Sequence, residues 1–294
     1  MLAGHNAPMT EAPRVEVLPL PGGRIERLRL PGGPGAPLLV VGGVETGLRP
    51  LAGTEALQAR RWEGRARARP VTVIGRPIPD DPTDADAMLH PRASAAAVET
   101  AVEDLASPFA IEAESGGGRI AMWLSVERPE LVRRLVLVAS ASETPPDSPM
   151  GVGMSPWITL AEQGAWSELF ALQAAQLKPG GPESDAPPAA AFEAVASLKP
   201  RPSTPERFIA ELRTTLDPSS FVTHRLSEVR VPTLVLAGGR DRVVPLAASL
   251  LVAERIPGAR LEVDPESGHT VRASFHGYDE LVEAFLAEGD SRAS

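Results

Sequence analysis

The sequence predicts an α/β protein built on a mostly parallel sheet with helices on both faces. Three observations predict it. Short continuous apolar runs, such as PLLVV at 37–41 and PTLVLA at 232–237, suit strands buried on both faces. These runs alternate with helical patterns, as parallel strands joined by crossovers require. A long segment without that alternation separates the last strands from the earlier ones, so an insertion is expected within one sheet.

The elements follow in order. Residues 1–12 read as a loose arm. Residues 15–18 and 25–30 read as two strands joined by a turn at Pro21-Gly22-Gly23. The run at 37–41 is a buried strand, residues 51–61 a helix and residues 71–74 another strand. Residues 77–91 are polar and proline-rich, and read as a loop. Ser94 is the expected N-cap of a helix running to Leu105. A strand at 109–113, a helix at 119–127 and the strand RLVLVA at 134–139 come next. Residues 144–220 are rich in Pro, Ala and Ser, with helical pieces at 160–173 and 205–215 and a linker-like stretch, KPGGPESDAPP, at 178–188. They are expected to form a helical cap, with residues 1–143 and 221–294 as the core. Alternation resumes with a strand at 232–237, a helix at 247–256, the strand ARLEV at 259–263 and a helix at 278–287.

Composition narrows the function. The 294 residues suit one large domain carrying an insertion, and an apolar content of 43% supports a sizeable core. The formal charge of −9 disfavours nucleic acid and anionic membrane surfaces as partners. The absence of cysteine excludes disulfides, thiolate metal sites and a thiol nucleophile. The first twenty residues lack a signal-peptide pattern, and no run has the roughly 18 apolar residues of a membrane span. A soluble, cytoplasmic protein is expected. Its oligomeric state is left open.

The most informative stretch is Ala113-Glu114-Ser115-Gly116-Gly117. An apolar run drives into a serine, and a helical pattern follows at once. A sharp strand-to-helix turn exposes the serine hydroxyl, and it demands small residues two before and two after. Ala113 and Gly117 meet that demand. A phosphate cradle is disfavoured, because no Gly-Lys-Ser/Thr follows. The strand at 232–237 leads into Gly238-Gly239-Arg240-Asp241, and Ser267-Gly268-His269 follows the next strand. Functional groups gather at the carboxyl ends of strands in open parallel sheets. Ser115, Asp241 and His269 are therefore expected on one sheet edge, in the chain order serine, acid, histidine. Glu143 is the alternative acid.

On these residues the chain resembles the α/β-hydrolase superfamily. Ala113–Gly117 looks like its nucleophile elbow, Gly238–Asp241 its acid turn, Ser267–His269 its histidine loop and Val41-Gly42-Gly43 its oxyanion loop. The resemblance covers about residues 14–143 and 227–288. It implies the α/β-hydrolase fold, a mostly parallel eight-stranded sheet with an inserted helical cap. It also implies Ser115 as nucleophile, His269 as general base and Asp241 as the acid that orients it. The backbone N–H groups of Gly116 and of Gly43 or Val44 would form the oxyanion hole. No cofactor or metal is implied.

Two departures stand out. Many members carry a histidine before the oxyanion glycine, where this chain has Val41. Many carry Asp-x-x-Gly-x-Gly after the fourth strand, where this chain reads Ile74-Gly75-Arg76-Pro77-Ile78-Pro79-Asp80.

The expected function is serine hydrolysis of a carboxylic ester, thioester or lactone, with a small, apolar substrate. Met150, Met154, Trp157, Trp166 and Phe170 gather apolar bulk early in the cap. They read chiefly as cap core, with Met154, Trp157, Trp166 and Phe170 as candidates for lining the pocket. The alternatives are the same triad used for C–C hydrolysis, acyl transfer or cyclisation, and a non-catalytic binding module on this scaffold. The elbow holds no aspartate nucleophile, which disfavours dehalogenase and epoxide-hydrolase chemistry. His5, His90, His224 and His276 have no metal-ligand spacing, and Gly151-Val152-Gly153 lacks the strand a dinucleotide site needs.

Overall fold

The computed structural model describes residues 12–177, 179 and 205–288. Among them nine strands form one sheet: β1 Arg14–Leu20, β2 Gly23–Leu30, β3 Leu38–Val41, β4 Val71–Ile74, β5 Ile78–Pro79, β6 Phe109–Glu114, β7 Val132–Val138, β8 Thr233–Gly238 and β9 Arg260–Asp264. Eight run in the order β1-β2-β4-β3-β6-β7-β8-β9, and β5 pairs with β2 outside that path. β2 is antiparallel to β1 and β4. Every pairing from β4 through to β9 is parallel.

The continuous apolar runs divide their side chains between two faces, as the two-residue period of a strand requires. Leu39, Val41, Ile111, Leu135, Leu137 and Val235 join one core with Ile120, Leu124 and Val252 from the helices Gly116–Glu127 and Leu246–Arg255. Leu38, Val40, Val136, Val138, Leu234 and Leu236 join a second with Trp62 and Phe285 from the helices Glu55–Ala68 and Tyr278–Ala287. Full burial of each such side chain contributes about 1.5–3 kcal/mol, so both faces must stay covered. The helices Pro149–Glu162, Trp166–Leu177 and Pro205–Leu216 lie between β7 and β8. They supply a third apolar cluster, in which Met154, Trp157, Leu169, Phe208 and Leu212 meet Leu48 and Leu89.

Several boundaries differ from the sequence expectation. The sheet has one strand more than the expected eight, the two-residue β5, which pairs with Gly23 and Arg24 inside the supposed loop 77–91. That loop also holds the helix Ala85–Leu89. Ser94 is not an N-cap. The helix runs over Pro91–Ala101, and the His90 ring accepts the Arg92 N–H at 3.2 Å in the capping role. Ser94 is buried within it, and its hydroxyl donates to the Met88 carbonyl. The helix expected at 51–61 forms at Glu55–Ala68, because the Thr54 N–H closes a turn onto the Leu51 carbonyl first. The piece expected at 160–173 is parts of two helices. The first starts at Pro149, where the Ser148 hydroxyl accepts the Gly151 N–H at 3.1 Å. The linker at 178–188 falls, apart from Pro179, outside the described residues, as does the arm up to residue 11. Among the described residues no helix is long and apolar enough to cross a membrane.

Candidate active site

Three carboxyl-terminal strand ends build the site. Ser115 lies between β6 and the helix Gly116–Glu127, with φ 53° and ψ −124°. A residue with a side chain held there costs on the order of 1–3 kcal/mol and persists only where its surroundings enforce it. One enforcing contact is the Ser115 N–H, which donates to the Val138 carbonyl of β7 at 2.8 Å. Another is Gly117. A Cβ there would run into the carbonyl oxygens of Val41 and Gly42, so only glycine lets the helix approach β3 this closely. Gly117→Ala should therefore push the elbow away from the loop after β3. The expected loss is about 1–3 kcal/mol of stability, with a drop in turnover. Thermal unfolding and an ester assay check this; an unchanged melting temperature with full turnover would refute it.

Asp241 follows β8, and the chain around it is tied to the histidine loop. The Gly239 N–H donates to the Asp264 carbonyl at 2.8 Å, and the Arg240 N–H to the Ser267 carbonyl at 2.9 Å. The Asp241 side chain is 1% exposed. Its Oδ1 accepts the backbone N–H groups of Val243 and Val244, each at 2.8 Å. Its Oδ2 lies 2.8 Å from Nδ1 of His269. On the other side of the ring, Nε2 lies 3.0 Å from Oγ of Ser115. The carboxylate assigns the tautomer. Nδ1 carries the proton facing Asp241, which leaves the Nε2 lone pair for the serine hydroxyl. The loop beyond His269 is pinned by Arg272, which donates to Oε1 of Glu112 at 3.0 Å and lies 3.9 Å over the Trp62 ring. The three residues read from the sequence thus meet. Glu143 does not reach into this chain of bonds; its charge instead acts on Arg119.

Gly43 and Gly116 flank the serine. A Cβ on Gly43 would lie 3.2 Å from the Ser115 Cβ, and one on Gly116 would lie 3.6 Å from the Val44 nitrogen. Gly116 and Val44 each open a helix, so their N–H groups have no intrahelical acceptor. The three groups proposed for the oxyanion hole are therefore neighbours in the lining of one cavity of about 560 Å³, which Ser115 and His269 also line.

Met150, Met154 and Trp157 form part of its apolar wall. Trp166 and Phe170 do not line it. Trp166 instead packs against Phe170 and Phe208, with ring centroids 6.4 and 6.1 Å away. The sequence gives no motif for several polar residues in the lining, Arg119, Gln173 and Glu211 among them. Arg119 stands one helical turn after Ser115, a spacing that could have drawn notice. Its guanidinium donates to the Thr215 carbonyl at 2.8 Å, the Ser220 hydroxyl at 3.0 Å and the Thr144 hydroxyl at 2.6 Å. Burial lowers its pKa to about 10, against the pull of Glu143, so it stays charged at neutral pH. Burial pushes the Glu211 carboxyl up, against the pull of Arg76. Among the described residues, no cluster of three or more His, Asp or Glu side chains is disposed to hold a metal ion.

The family model for serine aminopeptidases, S33 (Hydrolase_4), matches residues 85–272. A 2-hydroxymuconate semialdehyde hydrolase of Pseudomonas putida is 30% identical over 196 residues, which make up 62% of this chain and 63% of that protein, less than two thirds of its length. A pimeloyl-[acyl-carrier protein] methyl ester esterase of Nitrosomonas europaea is 30% identical over 195 residues, 64% of this chain and 74% of that one. The solved structure of a hydrolase from Pseudomonas aeruginosa PA01 superposes with a TM-score of 0.70 at 20% identity, covering 93% of this chain and 98% of that one.

Proposed function

The chain belongs to the serine aminopeptidase S33 family of α/β-hydrolases, and from that premise we propose that it is a serine hydrolase cleaving a carboxylic ester, thioester or lactone through an acyl-enzyme on Ser115. The observation that carries this is the His269 ring, which bridges Ser115 at 3.0 Å and Asp241 at 2.8 Å beside a largely apolar cavity. Ser115 Oγ attacks the substrate carbonyl as Nε2 of His269 takes its proton. The imidazolium is stabilised by Asp241, which keeps its own charge. The carbonyl oxygen becomes an oxyanion and takes the N–H groups of Gly116 and of Gly43 or Val44. Collapse expels the alcohol, thiol or ring oxygen, which receives the proton from His269. A water deprotonated by His269 then attacks the acyl carbon, the bond to Ser115 Oγ breaks as His269 returns the proton to Oγ, and the acid leaves.

We assign residues 1–143 and 221–294 to the hydrolase core and 144–220 to the cap. Met150, Met154 and Trp157 favour an apolar acyl or ring group. The test is turnover of p-nitrophenyl acetate and butyrate by wild type and Ser115→Ala, with a fluorophosphonate probe reporting modification of Ser115. Likeness to a semialdehyde hydrolase favours a second reading, C–C bond hydrolysis with the same three residues. Labelling at Ser115 without turnover of any simple ester would select it. No labelling of folded protein would leave a binding module.

A further inference from the structure

We infer that Arg76 is the positioning residue of the oxyanion loop, and that it locks this loop to the helix Pro205–Leu216 through Glu211. The inference rests on the hydrolase reading of the site. Both departures from the family pattern meet at this point. Val41 gives the loop after β3 no polar side chain at that position, and Arg76 stands in the atypical stretch after β4.

The Arg76 guanidinium is 1% exposed. Its Nη2 donates to the Gly42 carbonyl at 2.9 Å, and its backbone N–H donates to the Gly47 carbonyl at 2.8 Å. One residue thus grips the loop at both ends, with Gly43 and Val44 between. The first bond matters most. The Gly42 carbonyl and the Gly43 N–H belong to one planar trans peptide, so fixing the oxygen fixes the direction of the N–H. A charged donor on that oxygen also polarises the peptide and strengthens the N–H as a donor. Space agrees with this role. A Cβ on Gly47 would lie 2.6 Å from Nη1 of Arg76, so the glycine makes room for the guanidinium.

The same guanidinium faces the inserted helices. Its Nε donates to both carboxylate oxygens of Glu211, at 2.8 and 3.1 Å. From one turn earlier on that helix, Arg207 donates to the Arg76 carbonyl at 3.2 Å. A guanidinium and a carboxylate this deeply buried need each other, because either one alone would be an uncompensated charge. The loop and the helix therefore settle together. The Glu211 carboxylate reaches the cavity itself, where a Cβ on Gly116 would lie 3.8 Å from its Oε1.

The test compares wild type with Arg76→Met, Arg76→Lys and Glu211→Gln, using p-nitrophenyl butyrate and the fluorophosphonate probe, with active sites titrated by the probe. Arg76→Met should lower kcat per labelled site by on the order of 10²-fold, as expected for a misaimed donor, with KM within about two-fold of wild type. Phosphonylation of Ser115 should slow in proportion, since the P=O group needs the same donors. A lysine can reach the Gly42 carbonyl or Glu211 but not both, so Arg76→Lys should fall between. Glu211→Gln keeps an acceptor for Nε and should lose less than Arg76→Met. A residue that merely supports the fold would reduce the number of labelled sites and leave kcat per site unchanged. Should Arg76→Met fail to fold, Arg76→Lys and Glu211→Gln carry the same measurement. A kcat per site within about two-fold of wild type, or a raised KM with kcat kept, would overturn the inference and leave the hydrolase intact. Absence of wild-type labelling would overturn both.

Discussion

Ser115→Ala should lower turnover of p-nitrophenyl butyrate by on the order of 10⁴- to 10⁶-fold and abolish fluorophosphonate labelling, while the melting temperature stays at the wild-type value. The size follows from the chemistry. Without Oγ no covalent acyl-enzyme forms, and what remains is whatever the oxyanion donors do for direct attack by water. The unchanged stability follows from the geometry. The strained backbone at φ 53° is already occupied by a residue with a Cβ, and Oγ meets His269 at the cavity wall rather than packing in the core. A variant that keeps more than about a tenth of the activity would assign the reaction to another nucleophile.

Asp241→Asn should cost on the order of 10⁴-fold in kcat with little change in KM, for a reason specific to this turn. Oδ1 of Asp241 is held by two backbone donors, the N–H groups of Val243 and Val244. An asparagine must leave its oxygen there, since its NH₂ group would oppose two N–H donors. That places the NH₂ group against Nδ1 of His269, where Oδ2 now lies at 2.8 Å. Nδ1 then has to accept, the proton moves to Nε2, and Nε2 no longer accepts from Ser115. The side chain keeps its shape and both backbone hydrogen bonds, and the third is reversed in direction, so the fold survives. Kinetics at neutral pH and the imidazole ¹⁵N shifts of the variant check the two halves of this argument. Near-normal kcat would transfer the acid role away from Asp241, and Glu143→Gln would be the next variant.

Much of this site was legible because its signals are local. An apolar run of strand length followed by Glu114-Ser115-Gly116-Gly117 can hardly fold other than as a sharp strand-to-helix turn. The runs before Asp241 and His269 announce strand ends in the same way. Where local signals competed, the reading slipped. His90 caps the helix Pro91–Ala101 through its ring, a role that Ser94 fits better by composition. β5 has only two residues, and it exists because β2 offers it a partner more than fifty positions away. Among the cap aromatics, helical spacing could not choose a face. Packing turned Trp157 to the cavity and set Trp166 against Phe208.

By itself the sequence determined the succession of the longer strands along the chain and which of their ends carry a serine, an acid and a histidine. Burial periodicity and turn chemistry act between neighbours in the chain, so composition and spacing encode them directly. Only the tertiary structure decided that Asp241 rather than Glu143 faces His269, that Arg76 takes hold of the Gly42 peptide, and that Glu211 closes on Arg76 across 135 positions. Hydrogen bonds depend on a few tenths of an ångström between groups that meet only after packing. No local pattern specifies such distances; they are set when the layers close on one another.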